Sequence, residues 1–564
     1  MVLESEKLSK EWSTSLKKAL YLAITSGIFA WSPLFAKNAP ASPKSGFILI
    51  GNGAEPKGLD SALINDVPAS HIVDNLGEGL TTRDPITLQP RPGVAESWTL
   101  SADQKTYTFV LRKSARWSDG TALTAEDFRW SWIRALSHQL ASPYAYQLYA
   151  IKNAEGFNTQ KIKAEAQVGI KVLDSHTLQV ELERPTAYFL YLTSFHTLYP
   201  TPRHVIEKYP DQEWTRAEHM VSNGAFKLEE WKLNQHIKII ANDKYWDYDR
   251  VKIEGAYFYP IENADTEARN FESGALHMTE TVPSMKIPMH KKEIAKSPTA
   301  YHSFKITPYL GTYFYRLNTK KPPLNDIRVR RALSLTIDRK LIVEHITKGG
   351  QLPSRSFTPP NTAGYTYPPT LPESVTEVEI NEARTLLAQA GFPNGKGFPK
   401  LDLLYNNGED HKKICVAIQQ MWKKNLGIDV GLLNQEWKVF LNSVHTGDYA
   451  ISRAGWIGDY PDPNTFLDLW MQNGGNNETF WSNPEYDRLI DLAAATVDTP
   501  ARYAHFQKAE EILLQETPIL PIYTYTKVSM ISPKLKMLDH AGKQIEWTSN
   551  ITQQIFLSYY MLTK

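Results

Sequence analysis

Apolar and polar residues alternate along "TYTFVLRKSARW" (106–117), which predicts a half-buried strand, and "SDG" after it predicts a turn. The period then changes. In "TAEDFRWSWIRALS", Phe128, Trp132 and Leu136 recur at helical spacing. Thr124 as N-cap and Asp127 three residues later form a capping-box arrangement that opens this helix. "GIKVLDSHTLQVELERP" predicts two strands joined at Asp174 and Ser175, and "NGAFKLEEWKLNQHIKIIANDKYWD" predicts strand, turn and strand ending in an aromatic knot. Near the start, "GFILIGNG" predicts a short strand. Its "GNGAEP" only superficially resembles a dinucleotide fingerprint, since Pro56 occupies the place of the third glycine and no helix start follows.

From about residue 311 the pattern differs. Helices such as "DIRVRRALSLTIDRKLIVEHI" and "NEARTLLAQAGF" alternate with strands such as "KLDLLYN" and "GIDVGLLN", which predicts an α/β region with a largely parallel sheet. Pro-rich "SFTPPNTAGYTYPPTLPES" reads as a long loop ordered by its aromatics. "RYAHFQKAEEILLQE" reads as an amphipathic helix and "ILPIYTYTKVSMI" as a strand after it. No internal repeat or low-complexity tract interrupts this order.

The 564 residues allow two or three domains, and 42% hydrophobic content supports a large core. The 62 basic and 61 acidic side chains argue against nucleic acid as partner. The single cysteine, Cys415 in "HKKICVAI", reads as a small buried apolar residue. At the N-terminus, Lys17 and Lys18 precede an apolar stretch from Ala19 to about Ala30, then Pro33 and small residues. That is the pattern of a cleavable secretory signal, residues 1–36. The apolar run falls short of the ~20 residues a membrane span needs, and no nearby cysteine offers a lipid anchor. The mature protein is therefore expected to be exported and soluble.

Candidate chemistry concentrates in "RAGWIGDYPDP" (453–463), where the strand "DYAIS" runs into a turn carrying Arg453, Trp456 and Asp459. An ionised carboxylate among such apolar neighbours requires a partner. That partner is either Arg453, six residues earlier, or a cation from outside the protein. No HExxH, CxxC, GxSxG or phosphate-loop string occurs, and the 15 histidines are scattered, so neither an enzyme nor a metal or other cofactor is expected.

Several blocks, in one order from about residue 46 to the C-terminus, resemble the large solute-binding proteins of peptide ABC transporters, solute-binding protein family 5. They are "VAESWTLSADQKTYTFVLRKSARWSDGTALTAEDFRWSW", "SNGAFKL", "NDKYWD", "KPPLNDIRVRRALSLTIDR" and "NQEWKVFLNSVHTGDYAISRAGWIGDYPDPNTFL". The resemblance implies a mixed α/β, three-domain periplasmic-binding-protein fold, with two lobes hinged around a ligand cleft and an extra β-rich domain. The implied first lobe comprises 46–77 with 204–310 and 526–564. The β-rich domain is 78–203, and the second lobe is 311–525. The implied function is an extracytoplasmic receptor, not an enzyme, that encloses short extended peptides of about 2–5 residues by main-chain pairing. It would be a periplasmic monomer that hands its ligand to an inner-membrane permease with ATPase subunits. A murein-peptide or other solute receptor of the same fold is the alternative, and an exported hydrolase a third reading.

By the same resemblance, Asp459 binds the peptide's α-ammonium group. The backbone of Gly455 and Ile457 pairs with its first residues, Trp456 lines a side-chain pocket, and Arg453 lies near its carboxylate end. Val67 bonds peptide backbone, Asn65 stands where a glutamate faces a ligand side chain, and Tyr144 covers the ligand's N-terminal end. Trp437, His411 and Tyr525 match pocket-lining residues. Three positions depart from the family pattern. Val444 takes the place of a second arginine, Thr347 that of a lysine (although Lys348 follows), and Arg316 that of a pocket glutamate. A cation at Arg316 predicts a side-chain pocket that disfavours basic residues and welcomes acidic ones.

Overall fold

The computed structural model describes residues 46–296, 303–368, 374–472 and 474–563, so the expected signal segment 1–36 lies outside the described residues. "FILIG" forms the strand Phe47–Gly51, whose alternation buries Ile48 and Ile50. It pairs in parallel with Gly255–Tyr259, and the sheet continues antiparallel through His236–Ala241 to Phe226–Lys232. Its core takes Ile72 and Val73 from the helix Val67–Leu76 and Ile531, Leu535 and Leu557 from the end of the chain. That helix starts where the Asp66 carboxylate accepts the Ala69 N–H at 3.0 Å, with Pro68 in the first turn, where a missing N–H costs little.

A second four-stranded sheet is fully antiparallel, in the order Ala95–Leu100, Thr106–Leu111, Thr177–Glu181, Ile170–Asp174. The predicted alternation of "TYTFVL" turns Tyr107, Phe109 and Leu111 inward. Against them lies the helix Ala125–Ala135, with Phe128 and Trp132 on its buried face. Its capping box is formed, the Asp127 carboxylate accepting the Thr124 N–H at 2.7 Å.

The third sheet has six strands: β1 (Phe304–Leu317), β2 (Leu352–Pro353), β3 (Leu401–Asn406), β4 (Val430–Gln435), β5 (Ile451–Ile457) and β6 (Ile519–Met530), in the order β2-β6-β1-β5-β3-β4. Only β3 pairs in parallel, with β4 and β5; the other three pairings are antiparallel. This corrects the expectation of a largely parallel sheet. Helix-strand alternation supplies crossovers only around β3, β4 and β5, whereas β1 and β6 enter as long strands without them. A two-residue side-chain period is the same for both strand directions, so the sequence could not separate them.

Both faces of this sheet are covered. Tyr313, Tyr315 and Leu317 point toward the helices Glu377–Gln389 and Glu409–Leu426, with Cys415 fully buried among them, as expected. Leu310 and Phe314 point toward Pro484–Ala495 and Thr499–Glu516. The Pro-rich loop is tied down over its described part by buried Phe357 and Tyr365. Buried Glu510 accepts the N–H groups of Phe357 and Thr358 at 2.8 and 2.9 Å and the Tyr365 hydroxyl at 2.8 Å. The long helix expected over "DIRVRRALSLTIDRKLIVEHI" is divided. Ile327–Leu335 ends at Thr336, and Asp338 caps a new turn through the Leu341 N–H at 3.0 Å. The segment 342–347 then widens into a π turn.

β1 and β6 connect this body to the first. Phe304–Pro308 pairs with Thr526–Met530 beside Val282 and Ile287, the ladder slips between Pro308 and Thr312, and pairing resumes from Thr312 with Thr524. No helix among the described residues is long and apolar enough to cross a membrane.

Trp132 is fully buried and donates its indole N–H to the Leu198 carbonyl at 2.8 Å. Trp132→Ala is expected to destabilise the 95–181 sheet region by about 3–5 kcal/mol, read from its urea transition. An unchanged midpoint would contradict this packing.

Candidate functional site

β5 is paired along its whole length on one side and almost unpaired on the other. β1 accompanies it from Ile451 to Ile457, whereas β3 reaches only Ile451 and Ser452 before pairing solely with β4. The segment Arg453–Ile457 thus has no strand along its second edge. Main-chain groups removed from water need partners, and an edge of this kind accepts an extended segment as an added strand. Gly455 sits at its middle, where a Cβ would lie 2.6 Å from the Tyr525 hydroxyl oxygen, so a side chain there would displace the Tyr525 ring.

Just beyond the C-terminal end of this edge is Asp459, buried to 8% exposure. Its carboxylate accepts the Tyr144 hydroxyl at 3.2 Å, the Gln147 side-chain N–H at 2.9 Å and the Thr465 hydroxyl at 3.4 Å. All three partners are neutral. Burial pushes the Asp459 carboxyl up to about 7, even with the Arg83 guanidinium nearby opposing the shift. Arg83 donates to the backbone carbonyl of Asp459 at 2.7 Å rather than to its carboxylate. Trp456 is anchored by its indole N–H on the Thr465 carbonyl at 2.7 Å, and its ring centre lies 6.1 Å from that of Tyr144.

At the other end stands Arg453. It donates to the Tyr525 hydroxyl at 3.0 Å and to Asn406 Oδ1 at 3.2 Å, and its guanidinium lies 4.7 Å over the Tyr313 ring. Its Nε is buried without a hydrogen-bond partner. His411 Nδ1 lies 3.4 Å from the Tyr313 hydroxyl, and burial, reinforced by Arg453, pushes this imidazole well below its usual range, so it is neutral. Asp459 and Arg453 are therefore not paired with each other, which removes the internal ion pair as the explanation of Asp459. A carboxylate and a guanidinium, neither in an ion pair among the described residues, mark opposite ends of one open strand edge, six residues or roughly 20 Å apart along an extended chain.

The remaining sequence-predicted residues are held by other contacts. Asn65 donates to Asn476 Oδ1 at 3.2 Å, and Val67 opens the helix capped by Asp66. Trp437 opens the helix Trp437–His445 and stacks on Phe440 at 5.7 Å. Arg316 forms a buried ion pair with Glu478 at 2.9 Å, so its charge is matched within the protein. Val444 packs with Leu404, Phe440 and Tyr449, and the Thr347 hydroxyl bonds Gln351 Oε1 at 2.8 Å. Sequence reasoning missed Gln147, Thr465, Arg83 and Tyr313. Gln147 follows Tyr144 by three residues on the 3-10 helix Ala145–Ala150, a spacing that could have flagged it. Arg83, in "TTRDP", carries no comparable signal.

Comparison with known proteins follows from this geometry. The family described as "Bacterial extracellular solute-binding proteins, family 5 Middle" matches residues 89–478. The periplasmic oligopeptide-binding protein OppA of Salmonella typhimurium is 38% identical over 92% of this chain and 95% of its own length. Among solved structures, Haemophilus influenzae OppA in complex with RPPGFSPFR superposes with a TM-score of 0.85 at 35% identity, covering 92% of this chain and 99% of that one. The Escherichia coli murein tripeptide-binding protein MppA gives 0.85 at 35% identity, covering 93% of this chain and 99% of that chain. An unliganded open form of MppA gives only 0.60 at 34% identity, with the same shares covered. The bodies of this chain are thus arranged unlike those of that open form.

In this arrangement Asp459 is buried against Tyr144 and Gln147, which belong to a distant part of the chain. A carboxyl whose folded value is raised loses stability once pH exceeds its ordinary range, so ionised Asp459 opposes closure of the ligand-free protein at pH 8 and less so toward pH 5. Asp459→Asn is expected to favour the compact form by about 1–3 kcal/mol at pH 8, seen as a smaller radius of gyration in X-ray scattering. Identical scattering of variant and wild type at pH 8 would count against it.

Proposed function

This chain belongs to the bacterial extracellular solute-binding proteins of family 5, and we propose that it is the peptide-binding receptor of an ABC transporter. The observation that carries the reading is the open edge of β5, which ends at a buried carboxylate held in no ion pair among the described residues. An extended peptide adds as a strand to Arg453–Ile457, its main chain supplying affinity without dependence on side-chain identity. Its α-ammonium group meets Asp459 as its ion-pair partner. Since a peptide main chain carries one such group, this contact fixes direction and register. Arg453 serves the end that carries the carboxylate.

Two lobes close on the ligand: 46–77 with 204–310 and 526–564 on one side, 311–525 on the other. β1 and β6 are the crossing strands, and their slipped ladder near Pro308 is the place where bending disturbs fewest hydrogen bonds. The β-rich domain 78–203 supplies Tyr144 and Gln147 to the ammonium end. The mature protein works in the periplasm after loss of residues 1–36, takes peptides of about 2–5 residues, and delivers them to a permease. Trp456 and Tyr144 line the pocket nearest Asp459; Tyr525, His411 and Trp437 line others, Asn65 and Val67 border the cleft, and the Arg316–Glu478 pair leaves its neighbourhood close to neutral.

A murein peptide is the second reading, favoured by the match to the murein tripeptide-binding protein in its 0.85 form. Mass spectrometry of ligands released by denaturing the purified protein separates the two. Mixed short peptides support general peptide uptake, a single mass containing diaminopimelate supports the murein peptide, and a non-peptide ligand defeats both.

Asp459→Asn is expected to weaken a free-amine tripeptide by about 2–5 kcal/mol in calorimetry. N-acetylation of the peptide should weaken wild-type binding similarly and add little in the variant. Full additivity of the two changes would show that Asp459 does not meet the ammonium group.

A further inference from the structure

A second cavity lies outside the cleft. It measures about 220 Å3 and sits where residues 74–78, residues 82–92 with Arg112, and residues 554–559 converge. Neither Asp459, Arg453 nor Trp456 lines it, but four arginines do: Arg83, Arg91, Arg112 and Arg250. Two of these are matched by carboxylates, Arg91 by Asp84 at 3.6 Å and Arg250 by Asp247 at 2.6 Å.

The other two are held in place by neutral partners. Arg83, at 1% exposure, gives Nε to Ser194 Oγ at 2.8 Å and Nη1 to the Asp459 carbonyl and to Gln554 Oε1. Its Nη2 is buried with no hydrogen-bond partner. Arg112 lies flat on Trp246, 3.7 Å from the ring centre, with Nε on the Gly93 carbonyl at 2.8 Å. Besides Asp247, already bound to Arg250, two carboxyls share the cavity wall: Asp74 faces Arg83 and Glu78 faces Arg112 electrostatically, but neither closes an ion pair with its arginine among the described residues. Burial pushes Asp74 and Glu78 each up to about 7, and Glu78 already accepts the Tyr245 hydroxyl and the Trp246 indole N–H at 2.6 Å.

Planar guanidinium groups fixed by packing, with donors left over, are the arrangement that takes carboxylate or phosphate oxygens. The geometry points to this cavity as a binding site for a small oxyanion of the phosphate class, held by Arg83 and Arg112. Arg83 makes the site more than a local one. Its other terminal nitrogen holds the Asp459 carbonyl, so occupancy of the cavity and occupancy of the cleft bias the same side chain, and each must alter affinity at the other reciprocally. The anion site stands without reference to the cleft ligand; the coupling rests on the peptide-binding reading.

The first test is calorimetry of inorganic phosphate against the whole protein freed of cleft ligand. Saturable one-to-one binding is expected, weakened about tenfold or more by Arg112→Gln, which removes one charged partner. No saturable binding at millimolar phosphate, or equal binding by Arg112→Gln, would overturn the site. Crystals soaked in selenate provide a readout that needs no variant, with an anomalous peak between Arg83 and Arg112 expected and a peak only elsewhere overturning it. Phosphate should then shift tripeptide affinity severalfold in the wild type and not in Arg112→Gln. A confirmed phosphate site with no such shift would overturn the coupling alone.

Discussion

The structure is organised around a carboxylate buried outside any ion pair among the described residues. Ionised, Asp459 gains hydrogen bonds from Tyr144, Gln147 and Thr465, but hydrogen bonds to neutral groups do not repay full desolvation of a charge. Two of its three side-chain partners come from residues 144–147 and the third from its own turn, so the cost arises when separate parts of the chain meet around it. A binding protein benefits from that arrangement. On the proposed peptide-binding reading, the unliganded cleft is held back from closing by the same group that would reward closing around an ammonium, and differential interaction with the two states is what lets a ligand shift the equilibrium.

Much of this was legible from residue order. The strand at "TYTFVL", the capped helix after it, the buried cysteine and, one residue further on than expected, the turn at 175–176 followed from period and capping chemistry, because those rules act over a few residues. Strand direction in the six-stranded sheet did not, since alternation carries no sign. The division of the long helix at Thr336–Asp338 could have been read from Asp338, a good N-cap in mid-pattern, but helical spacing on either side concealed it.

The site divides along the same line. Arg453, Gly455, Trp456, Ile457 and Asp459 lie within seven consecutive positions, so one quoted string captured them, and the family resemblance supplied Tyr144 and Tyr525. What remained hidden are contacts between distant segments. Arg83 reaches Asp459 across 376 positions and Glu478 pairs with Arg316 although neither announces the other. A pocket's charge balance is set by such pairs, which is why a lone Arg316 in the sequence suggested an acid-seeking pocket that its ion pair largely neutralises.

The open edge of β5 also bears on solubility. A strand with unsatisfied main-chain groups is a template on which other chains can stack, and proteins usually blunt such edges with charge, proline or bulges. Here five residues are left bare in the middle of a sheet, bounded by β3 where it diverges and by the turn "DYPDP" beyond Asp459. On the peptide-binding reading, a fragment with free termini fits this bounded stretch, whereas a neighbouring molecule's strand would have to continue past both of its ends. Shielding from self-assembly and admission of short ligands are thus the same steric filter, acting on the length of the chain that tries to enter.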